Sequence, residues 1–212
     1  SLEVRGTPRP LTGDRGVLVV ANHVSWLDSV VLNAVEPLRL LAKHEVGGWP
    51  VIGWLARLAG TMWIRRASLR ALRTTLDEVT ATLAAGGTAG VFPEATTTCG
   101  RRVGTFHAAM FQAAIDADAV VQPVALRYLE PDGSVSPAVA YVGDVSLLES
   151  VLAVVARPRL TIEVHLLEPV RAAGPGPRRR QRLARSVRAG LKRVALPAAP
   201  ACTDTVSGSL AG

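Results

Sequence analysis

Short apolar runs alternate with longer amphipathic stretches along this chain, and the two periods predict strands and helices in turn. Residues 17–21 are uninterruptedly apolar, as in a strand buried on both faces, and residues 2–6 read as a strand ahead of them. A helix is predicted over about 25–35, a strand over 38–43, a short helix over 49–58 entered through Pro50, and a strand over 61–64. Across 68–85, Leu69, Leu72, Leu76, Val79 and Leu83 recur at the three- and four-residue spacing of one helix face, and Gly86-Gly87 ends it. Residues 88–92 form another buried strand and 106–117 another helix. Residues 119–129 read as a strand carrying Pro123, which predicts a kink or a place near the sheet edge. Further strands are predicted at 138–142 and 160–167. No internal repeat is visible. The alternation predicts an α/β fold, a single domain with a central, mostly parallel sheet flanked by helices.

The pattern changes after residue 170, which divides the chain into 1–170, a basic helical stretch 171–193 and a tail 194–212 expected to be disordered. Nine basic residues lie between Arg171 and Arg193, behind the turn-forming Gly174-Pro175-Gly176-Pro177. Leu183, Val187 and Leu191 recur every fourth residue, so one face is apolar and the rest cationic. Two readings stand: a helix lying on a membrane surface, or a terminal helix packed on the domain with a solvated basic face.

Composition narrows the partners. The formal net charge of +7 in 212 residues favours membrane surfaces, phosphorylated metabolites, acidic carrier proteins or nucleic acid. Nucleic acid is set aside, because no nucleic-acid-binding motif appears and only nine residues are aromatic. Two cysteines, Cys99 and Cys202, make no disulfide framework and no metal-ligand spacing, which points inside the cell. No apolar run reaches the roughly 18 residues of a membrane span. The start at Ser1, already in a strand-like run, leads us to expect that the sequence is trimmed and that any membrane anchor lies upstream of it. Trp49 and Trp54 sit in an apolar segment, with Trp63 nearby, and suit either a bilayer interface or the core.

The chemistry concentrates in Asn22-His23-Val24-Ser25-Trp26-Leu27-Asp28. A neutral imidazole is the side chain best poised to take a proton near neutral pH, and a carboxylate on its other ring nitrogen sets the tautomer. The plainer alternative is that His23 caps a helix and Asp28 lies on a solvated turn. No protein nucleophile is obvious, so the proton can come from a substrate hydroxyl that attacks an acyl donor directly.

Four segments carry a resemblance. Asn22-His23-x4-Asp28 resembles the first motif of the glycerolipid acyltransferase family, which includes the 1-acylglycerol-3-phosphate acyltransferases. Gly60-Thr61-Met62-Trp63-Ile64-Arg65-Arg66 resembles its second motif. Phe92-Pro93-Glu94-Ala95-Thr96-Thr97-Thr98 resembles its third, Phe-Pro-Glu-Gly-Thr-Arg-Ser, with Ala95 for glycine and Thr97 for arginine. Val121-Gln122-Pro123-Val124-Ala125 resembles its fourth. The resemblance implies a catalytic pair, His23 and Asp28. It also implies acceptor contacts from Lys43, Arg66, Glu94, Ala95, Thr96 and Thr97, with Asn22, Pro93 and Pro123 supporting the motifs. For Lys43 and Arg66 a solvated basic surface is the alternative. For Glu94 it is capping of the loop backbone.

The resemblance further implies acyl transfer from acyl-CoA or an acyl-carrier protein, a cosubstrate, to a lyso-lipid hydroxyl, with no cofactor and no metal. The acceptor expected is 1-acylglycerol-3-phosphate, and the chain is expected at the cytoplasmic face of a membrane of anionic lipids, either peripheral or anchored by a segment outside this sequence. Thr97 lacks the guanidinium that clamps a phosphate monoester, and the local series resembles the lyso-ornithine-lipid acyltransferase branch, so that acceptor stays open. Arg101 and Arg102 could supply the charge instead, and His107 reads as a core or surface histidine. A hydrolase or a non-catalytic lipid-surface module would be the competing class.

Overall fold

A computed structural model describes residues 1–6, 15–43, 48, 61–64, 69–171 and 176–196, and the helix predicted at 49–58 lies outside them. The described strands are β1 (Leu2–Arg5), β2 (Val17–Ala21), β3 (Arg39–Lys43), β4 (Met62–Ile64), β5 (Thr88–Val91), β6 (Val120–Leu129) and β7 (Thr161–Leu166). The described helices are α1 (Leu27–Val35), α2 (Leu69–Ala84), α3 (Ala109–Asp116), α4 (Leu147–Val155) and α5 (Arg179–Ala195). The strands form one sheet in the order β1-β7-β6-β2-β5-β3-β4, parallel throughout except where β7 meets β6.

Helices cover both faces, and this is why β2 is continuously apolar. Leu18 and Val20 face a core shared with Val79 and Leu83 of α2, Phe111 of α3 and Leu183, Val187 and Leu191 of α5. Val17, Val19 and Ala21 face the other core, with Val31 and Leu32 of α1 and Leu126 and Tyr128 of β6. Each fully buried valine or leucine of β2 contributes about 2 kcal/mol of transfer free energy.

Four expectations change. Pro123 is not at an edge, because β6 is hydrogen-bonded between β7 and β2. Its ring falls where the β6–β7 ladder breaks, between the Val124–Leu166 pair and the isolated Val121–Val170 bridge. The Leu167 N–H still donates to the Pro123 carbonyl at 3.0 Å, and the Gln122 side-chain amide donates to the Leu167 carbonyl at 2.6 Å. A neighbouring side chain thus supplies the donor that proline lacks.

Residues 138–142 are turn and irregular backbone rather than strand, although Val139 is fully buried. Helix α4 has no counterpart in the sequence reading. Its sequence signal is the capping box, in which Ser146 accepts from the Glu149 N–H while Glu149 accepts from the Ser146 N–H. Finally, α5 extends to Ala195, two residues into the supposed disordered tail, and Ala195 is buried. Of the two readings of the basic helix, the packed one is observed, since Leu183, Ala184, Val187 and Leu191 all lie in the core.

Candidate active site

Because β2 and β5 run parallel with Val20 opposite Val91, Asn22-His23 and Phe92-Pro93-Glu94 emerge side by side at the carboxyl edge of the sheet. Open α/β sheets bind their ligands at that edge. β3 ends on Lys43 at the same edge, two strands from β2 and so roughly 10 Å across the sheet. The Lys43 side chain and Arg66 lie outside the described residues.

Asn22 continues the β2–β6 ladder with its side chain. Its Nδ2 donates to the Leu126 carbonyl at 3.1 Å and its Oδ1 accepts the Leu126 N–H at 2.8 Å. The His23 N–H donates to Glu94 Oε1 at 2.8 Å, and the His23 carbonyl accepts the Thr98 N–H at 2.8 Å and the Thr98 hydroxyl at 3.1 Å. The imidazole stacks on Phe92, with centroids 4.2 Å apart and planes 13° from parallel. Backbone and ring are therefore both held, which limits the rotamers open to His23.

His23 Nδ1 lies 2.7 Å from Asp28 Oδ2. That oxygen also accepts the Val24 N–H at 2.7 Å and the Ser25 N–H at 3.0 Å, while Oδ1 accepts the Tyr128 hydroxyl at 2.6 Å. The carboxylate is fully buried, with each of its oxygens hydrogen-bonded. An acceptor at Nδ1 makes that nitrogen the N–H, which leaves the Nε2 lone pair available. Nε2 bonds to no described residue, and the side chain is 21% exposed, so this nitrogen can meet a substrate. No described serine or cysteine side chain hydrogen-bonds to the ring.

Tyr128 was not anticipated. It lies on β6 in register with Leu126 and Val124, facing the α1 side, and a buried tyrosine hydroxyl on an apolar face needs a partner. Burial, and then the charge of Asp28, push its phenol well above 10, so it stays a donor. Thr98, to which the third motif assigns no separate role, holds the His23 carbonyl through both its N–H and its hydroxyl.

Glu94 is buried and binds backbone on both oxygens, the His23 N–H and, at 2.5 Å, the Gly104 N–H. This is the loop-capping arrangement. Burial raises its pKa above 4.5, against the two backbone N–H bonds. A Cβ at Gly104 would stand 2.6 Å from Glu94 Oε2, so any larger residue there would have to displace this carboxylate oxygen. Ala95 adopts φ 63°, the left-handed region that glycine occupies without strain. Thr96 is exposed, whereas the Thr97 hydroxyl donates to the Tyr141 carbonyl. Tyr141 in turn donates its N–H to the Val24 carbonyl at 3.0 Å, and Trp26 Nε1 donates to Ser150 Oγ of α4 at 3.0 Å. Loop 137–146 and α4 are thereby fastened to the edge that carries His23. Arg101, Arg102 and His107 are exposed, and Cys99 is a half-buried free thiol. Among the described residues, no group of three His, Cys, Asp or Glu side chains could hold a metal ion.

Comparison with known proteins gives a consistent picture. A 1-acyl-sn-glycerol-3-phosphate acyltransferase of Neisseria gonorrhoeae is 44% identical over 163 residues, covering 77% of this chain and 63% of that protein. A lyso-ornithine lipid O-acyltransferase of Pseudomonas aeruginosa is 41% identical over 160 residues, 74% of this chain and 60% of that protein. The chain thus spans somewhat over half the length of these relatives. The crystal structure of the 1-acyl-sn-glycerophosphate acyltransferase PlsC from Thermotoga maritima shares the fold, with a TM-score of 0.63 at 24% identity over 92% of this chain and 70% of that one. The Acyltransferase family model matches residues 2–127, more than half of the sequence, and the chain belongs to that family.

Proposed function

We propose that this chain is an O-acyltransferase that moves a fatty acyl group from acyl-CoA or an acyl-carrier protein to the free hydroxyl of a lyso-lipid, with His23 as general base and Asp28 as its orienting partner. The observation that carries this reading is a His23 imidazole with Nδ1 on a buried carboxylate, Nε2 open, and no described serine or cysteine side chain hydrogen-bonded to the ring. The nucleophile then has to arrive with the substrate. His23 Nε2 takes the acceptor hydroxyl proton as the oxygen bonds to the thioester carbonyl carbon. The carbon–sulfur bond then breaks, and the leaving thiolate regains the proton from the imidazolium.

The acceptor we favour is 1-acylglycerol-3-phosphate, with Lys43 and Arg66 as its phosphate contacts. Lyso-ornithine lipid is the second reading, favoured because threonine replaces arginine at 97 and because relatives carry both names. A bilayer surface is the partner, and α4 supports this. Leu148, Leu152 and Val155 are 68%, 58% and 74% exposed along one helix face, beside exposed Val142 and Val145. Exposed Arg157 and Arg159 follow α4, on a chain of net charge +7, a combination suited to anionic lipid.

The test is incubation with labelled acyl-CoA and a panel of lyso-lipids. Ester product from either acceptor supports transfer, whereas free fatty acid alone would mean hydrolysis. His23→Ala should lower turnover by about 10²–10⁴-fold with the fold intact, and near-normal turnover would remove the central claim. Thr97→Arg should improve use of 1-acylglycerol-3-phosphate if the missing guanidinium limits phosphate binding. An unchanged acceptor ranking would show that this position does not select the head group.

A further inference from the structure

We propose that the cleft between α5 and residues 105–108 binds the phosphorylated end of the acyl donor, specifically the nucleotide portion of coenzyme A. The inference rests on the acyl-transfer reading and assigns a place to its donor.

The cleft holds about 410 Å³, within the usual range of small-molecule sites, and Thr105, Phe106, Arg178, Gln181, Arg185 and Arg188 line it. Arg188 is fixed by the segment opposite, donating from Nε to the Gly104 carbonyl and from Nη2 to the Val103 carbonyl at 3.0 Å. Neither contact neutralises its charge. Among the described residues, Arg178 and Arg185 meet no carboxylate, and the sequence from 171 to 196 contains no acidic residue at all. Like charges gathered on one side of a helix repel, and cations in its first turns also oppose the helix dipole. A phosphate in the cleft relieves both. Gln181 adds a buried side-chain oxygen without a partner, an acceptor suited to the hydroxyl or amino donors that a nucleotide carries beside its phosphates.

Position separates the donor from the acceptor. The wall between the cleft and His23 is the segment 104–107. It is pinned by the Gly104 N–H on Glu94 and by the His107 N–H on the Pro93 carbonyl at 2.9 Å. Glu94 binds the His23 N–H, and Phe92 stacks on the imidazole. The phosphate of a glycerol-based acceptor lies only a few bonds from its reacting hydroxyl and cannot reach past this wall. Coenzyme A carries its phosphates at the far end of a long pantetheine arm, and can hold the thioester at His23 while its nucleotide occupies the cleft. A concave site also suits a nucleotide better than the broad face of a carrier protein.

The experiment is calorimetric titration of the purified chain with free coenzyme A, and separately with glycerol 3-phosphate. The comparison is with R178Q, R185Q and the double variant. Arg188 is left in place because it holds backbone carbonyls. Each substitution should weaken coenzyme A binding about tenfold, the effect of losing one charge-assisted contact. In turnover, the preference for acyl-CoA over an acyl-pantetheine without the nucleotide should fall in the same order. Coenzyme A affinity that is equal in all four proteins overturns the proposal, whether or not the chain makes ester. Weakened glycerol 3-phosphate binding with coenzyme A unaffected overturns it in favour of the acceptor. A KM that rises for acyl-carrier protein but not for acyl-CoA overturns it in favour of a protein donor.

Discussion

Asp28 receives the His23 imidazole, two backbone N–H groups and the Tyr128 hydroxyl on one fully buried carboxylate, and this convergence gives the site its rigidity. Tyr128→Phe deletes one donor and leaves a buried charged oxygen short of a partner. Urea unfolding should show a loss of about 1–3 kcal/mol, and turnover should fall by less than in His23→Ala. An unchanged stability would mean that Oδ1 is satisfied in another way. Glu94 gives a pH prediction. Its folded pKa is raised above the 4.5 of the free side chain, so the folded state holds this proton more tightly than the unfolded chain. Its contribution to stability is complete below 4.5 and is lost as pH rises through the raised value. Unfolding curves across that window should fall less steeply with pH for Glu94→Gln than for the parent, and parallel curves would exclude the assignment. At this scale spacing made His23 and Asp28 legible as a pair, and the resemblance to the family's first and third motifs added Glu94 to them. Tyr128 was not legible, because a partner one hundred residues away leaves no local pattern.

Loop 137–146 and α4 are the elements that the periodicity misread or missed. Residues 138–142 are apolar enough for a strand, but their backbone bonds go elsewhere. The Tyr141 N–H reaches Val24 and the Tyr141 carbonyl takes the Thr97 hydroxyl, so the segment closes over the site instead of pairing in the sheet. In α4 apolar residues run around most of the helix, and no single stripe marks a buried face. Its outward Leu148 and Leu152 lead to a direct test. Leu148→Asp with Leu152→Asp should reduce co-sedimentation with anionic vesicles several-fold while leaving thermal stability within about 0.5 kcal/mol, as for surface changes. Equal sedimentation of variant and parent would remove α4 from the membrane-facing surface.

Across the whole molecule, α5 joins the rest of the domain through its apolar face. Leu191 is fully buried among residues of α2, α3 and the sheet. Leu191→Ala should therefore cost about 2–5 kcal/mol in one cooperative unfolding transition. A change below about 0.5 kcal/mol would mean that the domain does not need this helix. The sequence alone determined the strand–helix alternation, the α/β class and the motif residues at the ends of β2 and β5, because periodicity and spacing are local properties of a chain. Only the tertiary structure decided that β6 is interior despite Pro123, since the Gln122 amide and the break in the β7 ladder are long-range arrangements. It likewise decided that α5 turns its apolar face inward, that Thr97 is engaged by Tyr141, and that the arginines of α5 border a cleft beside the site. The physical reason is the same in each case: which partner satisfies a buried backbone group, or covers an apolar face, depends on segments far apart in the chain.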